Sequence, residues 1–453
     1  MAGGGISGLV AALRLSQAGV DVTVVEPDRL GGKVQTSMVA GRPVDEAADA
    51  FLLRVPWALA LCHDLELDGE LVSPAERQAH VFVDGHRRLL PSGHVLGVPT
   101  DLDALAASGL VSPASVERAR RDLDLGRLAT DPSGPGEDAG PAVGGDAGDD
   151  VAIGAYLRGR LGDEVVDRLV DPLVGGINAG DTAALSLAAV VPQLDAAARS
   201  GDPSLIRSCR AQRERTQALG GSSDAPIFAT PIGGMARLVD ALLAFMPGVD
   251  IRTGRHVVAV DVAPSERAVV TLDDASVLEA GAVVLALPAH VAGPLLRPVA
   301  PEAADLLAGI GHASVSMLTL AFDRGDIGEV AGASGCLIPR DQGALATAVS
   351  YATSKWAQLR DPGRDDVILR VSAGRHGDDR HLDLDDADLT ARILDDLDRV
   401  IGLNGGPTEV RVSRWPRSFP QYAPGHLRRV DAIETALAAT PVRLAGMALR
   451  GVG

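Results

Sequence analysis

The sequence predicts an α/β protein, α+β overall, built on a Rossmann-like dinucleotide-binding domain. Three observations predict it. The run Gly3-Gly4-Gly5-Ile6-Ser7-Gly8 places glycine at all three positions of GxGxxG. The strand-like Val22-Thr23-Val24-Val25 closes on Glu26, eighteen residues after Gly8, near the spacing of a carboxylate that binds ribose. Farther along the 453 residues, a helical middle gives way to short alternating strands from about residue 226.

The elements follow in order. Glycines remove the Cβ that would block a tight turn, and the helix expected over Leu9 to Ala18 aims its N-terminal dipole at a pyrophosphate. Only Met1 and Ala2 precede Gly3, where a mononucleotide fold normally has five or six buried apolar residues. The expectation is a first strand all but absent, from a truncated product or a misplaced start. Residues 1–54 form the first part of the dinucleotide domain, and residues 55–215 a mainly helical insertion with helices over Ser115 to Leu128, Val151 to Leu161 and Glu164 to Val170. Inside it, residues 131–150 are Gly, Pro and Asp with almost nothing to bury, which predicts a flexible loop.

The dinucleotide domain returns over 216–290, with strands in Val249 to Val262, Ala268 to Leu272 and Val283 to Pro288. Residues 291–415 read as a sheet domain with strands Ser316 to Phe322, Ala344 to Tyr351 and Val367 to Ser372, and residues 416–453 complete the dinucleotide domain. Leu389, Ile393, Leu397, Val400 and Ile401 recur at helical spacing, so the acidic run Asp383 to Asp398 is the solvated face of a helix and no metal site is expected.

Composition narrows the function. Lys and Arg number 42 against 60 Asp and Glu, a net charge of −18, which disfavours nucleic acid and anionic membranes as partners. Aromatic residues are 3% of the chain, too few for base stacking along a strand. Cys62, Cys209 and Cys336 are scattered and odd in number, as in a reducing compartment. The longest apolar stretch, Ala280 to Leu296, is broken by Pro288, His290 and Pro294, so no transmembrane span is expected, and a soluble, cytoplasmic protein is.

Specific wording then accumulates: Arg29-Leu-Gly-Gly-Lys33, Pro91-Ser-Gly93, Gly97-Val-Pro-Thr100, Asp171-Pro-Leu-Val-Gly-Gly-Ile-Asn-Ala-Gly-Asp181, Thr353-Ser-Lys-Trp356, Pro420-Gln-Tyr422 and Ala445-Gly-Met-Ala-Leu-Arg-Gly-Val-Gly453. In these segments, and from residue 3 to residue 453, the chain resembles the FAD-dependent protoporphyrinogen and coproporphyrinogen oxidases of haem synthesis, within the flavin amine oxidase superfamily. The resemblance implies an amine-oxidase-like fold: a Rossmann-like FAD-binding domain in three parts, a mixed-sheet substrate domain and the helical insertion. It implies FAD, held by Gly3, Gly5, Ile6, Ser7, Gly8, Glu26, Gly31, Gly32 and Lys33, with Val257 contacting the adenine through its backbone and Gly446 beside the flavin phosphate and ribityl. Gly175, Gly176, Asn178 and Ala179 are implied to face a flat macrocycle. Arg54 is the expected anchor for a propionate, since an acidic protein needs a local guanidinium for an anionic substrate.

The implied reaction is oxidation of a porphyrinogen by hydride transfer to FAD, with dioxygen as acceptor and hydrogen peroxide as product. No residue is given a catalytic proton-transfer role. Arginine far outnumbers lysine and the wording resembles actinobacterial members, so coproporphyrinogen III is the expected substrate and protoporphyrinogen IX the alternative. An amine oxidase or desaturase, or an inactive fragment, are the competing readings. Peripheral membrane contact and a homodimer are left open. Two departures stand out: Ala47 where the family has glycine beside the flavin, and Asn178 where tyrosine is common. The chain also stops at Gly453, before the family's last helix, so the C-terminal part of the flavin domain is expected to be cut short.

Overall fold

The computed structural model describes residues 1–125, 150–218, 226–330 and 332–451. The chain divides into two units, Met1–Ser73 with Pro226–Gly311 and Leu427–Gly453, and Pro74–Ala225 with His312–His426. The joints therefore fall near residues 73, 225, 311 and 426, and the helical insertion and the sheet segment belong mostly to the same unit.

In the first unit a parallel sheet is assembled from distant pieces of chain. Thr23–Glu26 pairs in parallel with Asp250–Thr253 on one side, and Val283–Leu285 pairs in parallel with Val442–Leu444. Ala2 joins the two pairs, bridging Val25 and Leu285 in parallel while only 1% exposed. Its N–H donates to Val284 O at 2.9 Å, its carbonyl accepts from Ala286 N at 2.8 Å, and Met1 O accepts from Val25 N at 2.9 Å. Two residues thus supply the central strand position, with the backbone paired as a buried strand requires. The strand order reverses about Ala2, which makes it the topological switch point where ligands bind at the carboxyl ends of the strands.

The first helix spans Ile6–Gln17, three residues earlier than its sequence pattern suggested. Glycine disfavours helix in isolation, but here Leu9 and Leu13, both 0% exposed, pack with Leu238, Val239 and Leu242 and pull the whole turn into helix. Burying each leucine contributes roughly 1.5–3 kcal/mol, more than Gly8 costs. The early start puts Ile6, Ser7 and Gly8 in the first turn, where N–H groups have no intrahelical acceptor.

The second unit contains a seven-stranded mixed sheet, in the order Glu409–Gln421, Gly311–Asp323, Asp366–Ala373, Ala346–Tyr351, Gly335–Leu337, Ala79–Val83, His86–Leu89. The pairing of Gly335–Leu337 with Ala79–Val83 is parallel. Two of these strands lie inside the mainly helical 55–215, where the sequence marked none, as do the short strands His94–Val95 and Val98–Pro99. His86–Leu89 is a polar strand at the sheet margin, so it carries no apolar alternation to reveal it.

Helix Asp386–Ile401 buries Leu389, Ile393 and Leu397 at 0% exposure against the sheet residues Leu318, Phe322 and Leu369. Its acidic face is not wholly solvated. Asp396 is 6% exposed and accepts the N–H groups of Leu345 at 2.7 Å and Ala346 at 2.9 Å. A second core, with Tyr156, Leu157, Leu161 and Leu169, joins helices Pro113–Asp124, Ile153–Leu161 and Leu205–Ala218. The loop expected over 131–150 lies outside the described residues except for Asp150. That residue is fixed, accepting from Ser186 Oγ and Gly425 N, each at 2.7 Å. Among the described residues, no helix is long and apolar enough to cross a membrane.

Candidate active site

Three glycine segments meet at the switch point of the first unit. Gly31 N donates to Gly4 O at 2.8 Å, and Gly5 bridges Gly31 in parallel. A Cβ built on Gly32 would stand 3.2 Å from Gly5 Cα, so the two turns lie backbone against backbone. On Gly446, which follows the strand Val442–Leu444, a Cβ would find Ser7 Oγ at 4.0 Å as its nearest neighbour. Gly31, Gly32 and Gly446 have φ of 98°, 60° and 122°, the left-handed region that favours glycine.

The glycines of the first turn serve different ends. A Cβ on Gly8 would overlap the carbonyl oxygen of Gly3, and one on Gly4 would stand 2.6 Å from Leu30 Cδ2. The fold itself requires those two. A Cβ on Gly5 meets nothing closer than Gly32 Cα at 3.9 Å, and its φ of −68° suits any residue. Gly5 therefore leaves open a space that the chain does not need, beside the unbonded N–H groups of Ile6, Ser7 and Gly8. That is the cradle a pyrophosphate requires.

Glu26 ends its strand at this cradle. Its Oε2 accepts from Gly4 N at 2.6 Å and its Oε1 from Asp28 N at 3.1 Å, leaving the carboxylate lone pairs for further donors such as ribose hydroxyls. Arg255 N donates to Glu26 O at 3.3 Å, which brings the Arg255–Val257 corner, and with it Val257, to the same strand end. Lys33 follows Gly32 directly, and burial pushes its ammonium below the usual lysine range. All eleven residues expected to hold FAD thus lie in one unit, gathered about the carboxyl end of one sheet. The residues present fit the group. Ala47 does not have the left-handed backbone that would make its methyl a misfit, as it is not among the residues of positive φ.

Arg54, in the same unit, is exposed, and its side chain makes no ion pair or hydrogen bond among the described residues.

In the second unit, the helix Val166–Gly175 has the wide π-type winding, which accommodates Pro172, a residue with no N–H to give. It runs through Gly176–Asn178 and breaks at Ala179, whose φ of 45° is unusual for a residue with a Cβ. The break is held from several sides. Gly180 N donates to Gly175 O at 2.8 Å, His376 N to Ala179 O at 2.7 Å, and Gln421 Nε2 to Asn178 O at 3.1 Å. Asp171, 5% exposed, accepts from Thr182 N at 3.1 Å and Thr182 Oγ1 at 2.9 Å, and pairs with Arg340 Nε at 3.0 Å. Arg340 Nη2 reaches on to Gly180 O at 2.6 Å.

Gly176 and Ile177 are left exposed on the rigid turn, and a Cβ on Gly176 would meet nothing within 4 Å. Gly175 and Gly180 are internal, each crowded by its own neighbours. Asn178 is 8% exposed and spends its amide on Val174 O at 2.8 Å, so it closes the helix end. Of the four turn residues expected at a substrate face, the described packing leaves Gly176 open and buries Gly175, Asn178 and Ala179.

Sequence reasoning missed Arg340, His376 and Gln421, which reach the turn from other strands and loops, and Arg375 beside His376. It also gave Asp171 no role, although a carboxylate set directly before Pro172 among Leu169, Val170, Leu173 and Val174 was a readable sign of a buried ion pair. His426, 1% exposed, stacks on Tyr422 at 3.9 Å between ring centroids.

The arrangement matches known proteins along its whole length. The family described as flavin containing amine oxidoreductase matches residues 6–452. The chain is similar to the coproporphyrinogen III oxidase of Mycobacterium tuberculosis, 34% identical over 456 residues, covering 100% of this chain and 92% of that protein. The coproporphyrinogen III oxidase of Bacillus subtilis is 31% identical, covering 100% and 93%. A crystal structure from Exiguobacterium sp. 255-15, assigned as a protoporphyrinogen oxidase, superposes with a TM-score of 0.84 at 28% identity, covering 100% of this chain and 94% of that one. The glycine cradle and these full-length matches agree: the chain belongs to the flavin containing amine oxidoreductase family, as an FAD-dependent oxidoreductase akin to the coproporphyrinogen III oxidases.

Proposed function

We propose that this protein oxidises coproporphyrinogen III to coproporphyrin III in haem synthesis, with FAD as hydride acceptor and dioxygen as final oxidant. The observation that carries this reading is the full-length likeness to coproporphyrinogen III oxidases in a chain that retains the cradle. In it the Gly3–Gly8 turn, Glu26, Gly31, Gly32, Lys33, Val257 and Gly446 of the first unit hold FAD, and the second unit carries the macrocycle face at Gly175–Ala179. Protoporphyrinogen IX is the alternative substrate.

Each turnover removes six hydrogens in three two-electron steps, and each step reduces one dioxygen to hydrogen peroxide. The flavin, when bound, supplies the hydride-accepting chemistry. The chain binds and orients. Helix N–H groups at Ile6, Ser7 and Gly8 meet the pyrophosphate charge, and the turn anchored by Arg340, His376 and Gln421 keeps its exposed Gly176 in one place. No strong base is needed, because aromatisation of the ring drives loss of the nitrogen protons. Arg340, Arg375 and Arg380 supply local positive charge that a protein of net charge −18 otherwise lacks, which supports a substrate rich in carboxylates. Arg54 is proposed as a further propionate anchor. Three free buried cysteines and the acidic surface support a cytoplasmic location.

The test supplies the purified protein with FAD and follows porphyrin fluorescence and peroxide separately on coproporphyrinogen III and protoporphyrinogen IX. Faster porphyrin formation from coproporphyrinogen III, with three peroxides per porphyrin, is expected. No product from either substrate would reject the reading.

A further inference from the structure

Arg375 is a largely buried arginine without a counter-ion of its own. The residue is 8% exposed, its Nε is buried without a hydrogen-bond acceptor, and its side chain forms no ion pair among the described residues. Two carboxylates act on it from nearby, Asp171 and Asp378. Both are committed elsewhere: Asp171 to Arg340 at 3.0 Å, and Asp378 to a two-pronged pair with Arg380, both prongs at 2.7 Å. Asp396 also acts on Arg380, but it is committed to Arg399 at 3.4 Å and to the N–H groups of Leu345 and Ala346, so Arg340, Arg375 and Arg380 share Asp171 and Asp378 with one positive charge over. Burial, reinforced by Arg340, pushes the Arg375 pKa down to about 10, which still leaves it charged at neutral pH.

A largely buried charge with no direct partner is unfavourable, and proteins retain one where a ligand completes it. The position is equally specific. Arg375 lies one residue before His376, whose N–H holds the carbonyl of Ala179 on the Gly175–Gly180 turn. The missing partner carries a single negative charge, since a doubly charged phosphate would set its second charge against Asp171 and Asp378. A carboxylate matches the planar fork of a guanidinium.

We propose that Arg375 binds one carboxylate of the tetrapyrrole substrate, forming an anion site beside the Gly175–Gly180 turn. This assignment of the tetrapyrrole rests on the function proposed above.

The test uses the FAD-loaded protein with Arg375→Met and Arg375→Lys, titrating coproporphyrin III and its tetramethyl ester by porphyrin fluorescence. Arg375→Met should weaken binding of the acid roughly 10- to 100-fold, the loss of a charge-assisted pair, and leave the ester unchanged. Arg375→Lys should recover part of the loss. The thermal midpoint of the porphyrin-free Arg375→Met protein should hold or rise, because the uncompensated charge has gone. Unchanged acid binding, or parallel weakening of acid and ester with a falling midpoint, would overturn the assignment. Sodium propionate separates this site from the proposed function: at the ionic strength of a sodium chloride control it should raise the midpoint of the unmutated protein and not of Arg375→Met. Absence of that difference overturns the anion site whatever the substrate. Its presence in a protein that binds neither porphyrin would keep the site and overturn the tetrapyrrole as its ligand.

Discussion

Alanine at Gly5 and alanine at Gly8 should fail in opposite ways. At Gly5 the backbone is already extended, with φ −68° and ψ 172°, and a new methyl lies 3.9 Å from its nearest neighbour, an ordinary contact. The apoprotein should therefore unfold at an unchanged temperature. The same methyl occupies the open side of the cradle, where it pushes a pyrophosphate away from the first-turn N–H groups. Each hydrogen bond to a charged oxygen contributes about 1.5–3 kcal/mol, so losing two weakens FAD binding roughly 10²- to 10⁴-fold. At Gly8 the methyl overlaps the carbonyl oxygen of Gly3, backbone against backbone, and no side-chain rotation relieves it. The turn or the helix must move, at a cost of about 1–3 kcal/mol to the apoprotein itself. The measurements are the flavin-to-protein absorbance ratio after purification, FAD titration of the apoprotein, and its thermal midpoint. Wild-type FAD affinity in Gly5→Ala, or a fall in its apoprotein midpoint equal to that of Gly8→Ala, would refute the division of labour among these glycines.

Two further predictions concern the second unit and the thiols. Asp171→Ala strips acceptors from Thr182 and leaves Arg340 unpaired, so denaturant unfolding should show a loss of about 2–4 kcal/mol. A double-mutant cycle with Arg340→Met should give a coupling of about 1–2 kcal/mol, and strict additivity would dissolve the pair. Burial pushes the thiol of Cys62 up to about 11 and those of Cys209 and Cys336 up to about 12. Thiolate forms only as pH rises toward those values, so at pH 8 a thiol reagent should leave the native protein unmodified while labelling all three cysteines after denaturation. Rapid labelling of the native protein at pH 8 would contradict the burial of these groups.

The cofactor cradle was legible because its chemistry is local. A glycine turn, a strand and an acid lie within the first 26 residues, and each type is demanded by its own backbone or ligand. The helix start was misjudged because propensity argues against glycine while tertiary burial of Leu9 and Leu13 overrides it. Strands inside 55–215 escaped notice since His86–Leu89 is polar and others are two residues long. The turn at Gly175–Gly180 was readable as a motif, but its fastening was not. Arg340, His376 and Gln421 stand between 160 and 243 residues away along the chain from the atoms they hold, and no periodicity records such pairings. Arg375 was hidden for the same reason, since a lone arginine in a sequence looks like surface.

That fastening has a consequence for transplantation. The turn's shape is not encoded in its own residues, because the left-handed Ala179 and the closed Asn178 depend on donors borrowed from three other places. Grafting Gly175–Gly180 alone into another scaffold would yield a frayed helix end. Moving it intact means carrying Asp171, Arg340, His376 and Gln421 as a set, and among diverged descendants Asp171 and Arg340 should be exchanged together or not at all.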